Sequence, residues 1–79
     1  MVREDLPDLL YETLQTLGGR AEMMTIFRRF WKMYGEQLTE SDDLFYTWNY
    51  DIRWAATELR NTGRMKQAFL SPKGVWEII

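Results

Sequence analysis

Two side chains that carry much of enzyme chemistry are missing from this sequence: it has no histidine and no cysteine. Their absence removes the usual general base, the commonest metal ligand, the thiol nucleophile and any disulfide or zinc-thiolate site. The chemistry left is that of charge. Residues 36–43 hold four carboxylates, Glu36, Glu40, Asp42 and Asp43. They lack the turn glycine and the ligand spacing of a calcium loop, so they read as a solvated acidic loop. Further on come Arg53, Arg60, Arg64, Lys66 and Lys73. Guanidinium and ammonium groups at such spacing suit phosphate oxygens, with affinity that falls as salt rises. The expectation is a binding domain, with no catalytic group, no metal and no cofactor.

The net charge of −2 conceals a division. Residues 1–52 carry five basic groups against ten acidic ones, and residues 53–79 carry five basic against two acidic. A chain acidic in front and basic behind can present its rear to a polyanion. No apolar run approaches the roughly 20 residues that span a bilayer, and the polar start lacks the apolar segment of a signal peptide. A cytoplasmic protein with no membrane partner is expected.

The elements that must position these charges follow from periodicity. Leu6, Leu9, Leu10, Leu14 and Leu17 form one helical stripe, with Asp5 and Pro7 at its start and Gly18-Gly19 at its end. Residues 20–22 form a bridge long enough for a minimal strand. Met23, Ile26, Phe27, Phe30 and Tyr34 define a second helix, with Gly35 as its stop. Thr39 and Asp42 have the spacing of a capping box. The spacing predicts a third helix over 48–62, capped by Thr47, stopped by Gly63 and buried through Trp48, Ile52, Ala55 and Leu59. Beyond Gly63 the period becomes extended. Residues 65–70 are expected to pair with 75–79 in a hairpin, with Lys73 near its tip in the turn 71–74. The core is expected to include Leu10, Leu14, Phe27, Phe30, Ile52, Leu59 and Trp76, with Trp54 and Trp76 packed where the third helix meets the hairpin.

Helix, bridge, helix, acidic loop, helix and hairpin is the order of a winged helix-turn-helix: a mainly α domain over residues 1–79, three helices plus a small C-terminal β-hairpin as its wing. In that architecture the third helix enters the major groove of DNA. The stretch Trp48-Asn49-Tyr50-Asp51-Ile52-Arg53-Trp54-Ala55, then Leu59, Gly63 and Lys73-Gly74-Val75-Trp76, resembles the N-terminal winged-helix domain of Mrr-type restriction proteins. Leu6-Pro7, Gly18-Gly19 and Leu38-Thr39-Glu40 match more loosely. The resemblance implies a DNA-recognition module, without the nuclease domain that such proteins attach to it, so no cleavage is carried over. Where that family usually carries Asn-Arg, this chain has Tyr50-Asp51, and an aspartate there repels phosphate.

Double-stranded DNA is therefore the expected partner, through Asn49, Tyr50, Arg53, Thr57, Arg60, Arg64, Lys66 and Lys73. The alternative is a protein–protein interaction or homodimerisation module on the same scaffold, using the acidic loop.

Overall fold

In the computed structural model, which describes residues 1–41 and 43–79, a single 3-10 turn (Arg3–Asp5) leads into α1 (Leu6–Thr16). β1 (Arg20–Glu22), α2 (Met23–Thr39), α3 (Leu44–Asn61) and β2 (Val75–Glu77) follow. Three helices, a small antiparallel sheet and a C-terminal wing make this a mainly helical winged-helix arrangement. Among the described residues no helix is long and apolar enough to cross a membrane.

The apolar stripes meet in one core. Leu6, Leu10 and Leu14 of α1, Ile26, Phe30 and Leu38 of α2, and Ile52, Ala55, Ala56 and Leu59 of α3 are all buried. Each large aliphatic side chain so removed from water contributes about 1.5–3 kcal/mol. Of the expected core only Phe27 stays half-buried, at the edge of an aromatic joint between α2 and α3. Trp48 is the hub of that joint. It stacks on Phe30 at 5.8 Å and on Trp31 at 5.9 Å, and meets Phe27 edge-on at 5.9 Å.

Helix ends differ from the expectation where packing overrides local signals. α1 stops as expected: Gly18 and Gly19 take φ of 84° and 90°, and the Gly19 N–H returns to the Leu14 carbonyl. Gly35, expected as the end of α2, lies inside it. The Trp31 ring covers this position, where a Cβ would come within 3.2 Å of it, so the glycine makes room for the ring. Buried Leu38 then holds one further turn of helix onto the core. α3 likewise begins at Leu44, four residues early, because Leu44 is buried. Thr47, expected as a cap, is a helical residue whose hydroxyl donates to the Asp51 carboxylate at 2.7 Å. The expected capping box includes Asp42, which lies outside the described residues.

The sheet also differs in partner. β2 pairs antiparallel with β1, Ala21 opposite Trp76, and of the expected partner 65–70 only Met65 and Lys66 reach it. On its other edge β2 receives only a short segment: Met65 bridges Ile78, the Lys66 N–H donates to the Glu77 carbonyl, and the Ile79 N–H donates to the Arg64 carbonyl. Met65 is the last side chain there with a place in the core. Gln67, Ala68, Phe69 and Leu70 are all exposed, so no buried face sustains a strand. Ala68–Leu70 closes instead as a 3-10 turn. The wing is a hydrogen-bonded loop anchored at its base.

Candidate nucleic-acid interface

Helical geometry sorts the polar residues of α3. At about 100° per residue, positions seven apart share a strip and positions two apart lie about 200° around the axis. Arg53 and Arg60 share one strip. Asp51 and Glu58, the acidic residues of α3, share another on the far side of the buried stripe. Between the strips, facing solvent, stand Tyr50 and Thr57, with Asn49 beside Arg53.

Contacts confirm the sorting. The Arg53 guanidinium lies 5.8 Å from the Phe27 ring of α2. The Arg60 guanidinium lies 5.9 Å from the Trp76 ring, and its Nε–H donates to the Lys66 carbonyl. Arg60 and Lys73 line one groove of about 410 Å³, together with Met23, Phe69 and Trp76. The Met23 N–H at the start of α2 donates to the Gly74 carbonyl at 2.9 Å, which pins the wing against α2. The continuous surface therefore runs Asn49–Tyr50–Arg53–Thr57 along α3, then through Arg60 to Lys73.

Asp51 does not belong to that surface. Its carboxylate accepts from Arg3 Nε at 3.2 Å and from the Thr47 hydroxyl. Arg3 also stacks over Trp54, 3.7 Å from the ring centroid. Trp54 thus sits beneath the N-terminal segment, whereas Trp76 packs against Phe27 at 6.0 Å, so the two tryptophans do not share the junction expected for them.

Two of the expected basic residues are held by the fold. Arg64 pairs with Asp8 at 2.7 Å and lies over Tyr11, on the α1 side. Lys66 pairs with Glu77 at 2.9 Å. Lys66 first, with Arg20 adding to it, holds the Glu77 carboxyl below its ordinary range, against the opposing effect of burial. Among the described residues, no carboxylate lies within 4.0 Å of Arg53, Arg60 or Lys73. An unpaired cation at the surface is already hydrated and can exchange water for a phosphate oxygen.

Two exposed aromatics on this side escaped the sequence reading. Tyr46, 78% exposed, extends the line of Tyr50 by one helical turn. It belongs to α3 only because Leu44 starts the helix early. Phe69, 84% exposed, stands on the wing. The alternating pattern 65–70 hid it, since a strand would bury every second residue.

Comparison of the chain with protein-family models, with curated proteins and with solved structures finds no match.

Proposed function

We propose that this domain binds double-stranded DNA, with the exposed face of α3 in the major groove and the wing over the neighbouring backbone. The observation that carries the reading is the sorting of charge around α3. Among the described residues, Arg53, Arg60 and Lys73 lie without carboxylate partners on one side, and the acidic groups of the helix lie on the other. Side chains suited to base edges adjoin that flank: Asn49, beside Arg53, can bond adenine bidentately, and Thr57, between the flanks, carries a hydroxyl. The likeness of residues 48–55 and 73–76 to the Mrr-type recognition module supports the same reading.

The net charge of −2 does not oppose it. At physiological salt the Debye length is about 8 Å. That is shorter than any dimension of the molecule, 35 × 21 × 18 Å, so a phosphate responds to the flank it faces. The three cations of this surface, Arg53, Arg60 and Lys73, imply a modest salt dependence, a log–log slope of about −3.

The test is an NMR titration with a mixed-sequence duplex at low and moderate salt. Amide shifts confined to α3, the start of α2 and residues 67–75, weakening with salt, support the proposal. Unmoved shifts at low salt overturn it. The competing role as a protein-interaction module rests on the cavity of α2 lined by half-exposed Trp31 with Glu36 and Glu40, and it predicts shifts there instead.

A further inference from the structure

The wing offers DNA more than a charge. From Leu59 to Trp76 the chain contains four basic residues and no acidic one. Within that stretch, Phe69 and Leu70 are 84% and 61% exposed on a turn only three residues long. A lone exposed apolar residue needs no explanation. Here the two apolar residues are adjacent, and Phe69 lines the same groove as Arg60 and Lys73. The turn is also tied at several points. The Leu70 N–H donates to the Gln67 carbonyl, the Val75 N–H to Pro72, and the Met23 N–H of α2 to Gly74. Phe69 is therefore held out on a braced loop, and the core has no claim on it.

Proteins that grip the minor groove commonly pair cations with an apolar wedge that enters between base pairs and kinks the duplex. We infer that Phe69 is such a wedge. With α3 in the major groove, the wing reaches the adjacent minor groove. The Phe69 ring enters a base step there, Leu70 packs against the sugars, and Arg60 and Lys73 hold the flanking phosphates. This inference rests on the DNA-binding reading above. It adds that the protein bends its target and favours a step that unstacks readily. Pyrimidine–purine steps such as TA unstack most easily, and A-tracts resist.

The experiment compares the parent, Phe69→Ala and Lys73→Ala on two end-labelled duplexes of equal length, one with a central TA step and one with a central A-tract. Affinity is read by anisotropy across a salt series, and bending by energy transfer between the ends. The parent is expected to bend the TA duplex and to prefer it. Phe69→Ala should lose both the bend and the preference, and weaken binding about tenfold, with its salt slope unchanged. Lys73→Ala should flatten the slope by about one and keep the bend. Bending and preference retained in Phe69→Ala would overturn the wedge while leaving DNA binding intact. No binding of either duplex by the parent would overturn both. Self-association of the parent that Phe69→Ala abolishes, without any bending of DNA, would reassign the apolar turn to a protein contact and also reject the wedge.

Discussion

Along α3, Asp51 on one flank is bound into the protein, while Arg53 and Arg60 on the other meet no carboxylate among the described residues. Asp51 is shared by Arg3 and Thr47, and Arg3 is spread over Trp54. Arg53 and Arg60 rest against the aromatic rings of Phe27 and Trp76, which orient their guanidiniums without neutralising them. The same contrast divides the wing: Lys66 is consumed by Glu77, and Lys73 at the tip meets no carboxylate among the described residues. Folding accounts for the first set of charges. It does not account for the second, and that is the physical ground for assigning them to a ligand. A basic segment therefore has to be discounted, cation by cation, for those the fold already uses.

The contrast depends on α3 being held in one rotation about its axis, and the buried stripe does this. Leu59 is 1% exposed between the two flanks. Leu59→Ala should cost about 2–5 kcal/mol of stability, read by denaturant unfolding. For a domain this small, that is a large share of the total. A cost well under 1 kcal/mol would mean that another face of α3 is buried, and the assignment of flanks would fall with it.

Next in size are the cations. Arg53→Ala, Arg60→Ala and Lys73→Ala should each flatten the salt dependence of DNA binding by about one unit of log–log slope. Arg64→Ala should leave the slope unchanged, because Asp8 already holds that guanidinium. Arg29→Ala is a matched control of net charge, since Arg29 turns toward α1 and donates to the Thr16 hydroxyl. If Arg64→Ala flattened the slope as much as Arg53→Ala, the distinction between used and free cations would fail.

Glu77→Gln converts a used cation into a free one. With its partner neutralised, Lys66 becomes available beside the wing, so DNA binding should tighten a few-fold at low salt and the slope should steepen. The stability effect has a defined sign. Lys66 and Arg20 lower the Glu77 pKa in the folded state. The ionised carboxylate therefore stabilises the fold at neutral pH, and this contribution is lost as pH falls below the ordinary glutamate value and through the lowered one. Parent and Glu77→Gln should differ in melting temperature near pH 7 and converge in acid. A difference that persists in acid would point to lost shape in place of lost charge.

Most of the frame was legible in the sequence because it is written in local periods. The stripes Leu6–Leu10–Leu14 and Ile52–Leu59 placed two helices, and Gly18-Gly19 ended the first through left-handed backbone that only glycine adopts freely. What was not legible depends on partners distant in the chain. Gly35 reads as a stop until Trp31 is seen to lie over it. The partner of β2 is β1, some fifty residues away, and no turn signal records that pairing. Of the candidate site, Asn49, Tyr50, Arg53, Thr57, Arg60 and Lys73 were found together. Arg64 and Lys66 were not, because Asp8 and Glu77 claim them through contacts that spacing cannot reveal. One signal was available and unused. The two-residue offset between Arg53/Arg60 and Asp51/Glu58 separates basic from acidic on any helix.

The smallest expected effect is the sharpest test of that offset. Asp51→Asn removes one negative charge, as Glu77→Gln does, and it also releases a paired cation, Arg3. From sequence alone its carboxylate should repel phosphate, so its loss should tighten binding. In the structure Arg3 stands on the flank away from the wing, over Trp54, and that contact does not require the carboxylate, so it should hold the released guanidinium there. That contact contributes about 0.5–1 kcal/mol where exposed. The pair itself joins an Arg3 side chain 46% exposed to a largely covered Asp51, and an ion pair so open to water contributes at most about 1 kcal/mol. The expected outcome is a small loss of stability, DNA affinity within about twofold of the parent, and an unchanged salt slope. Glu77→Gln, with the same change in net charge, should tighten binding under the same conditions. If instead the two variants tightened it equally, total charge alone would govern binding, and the two flanks of α3 would be equivalent to DNA.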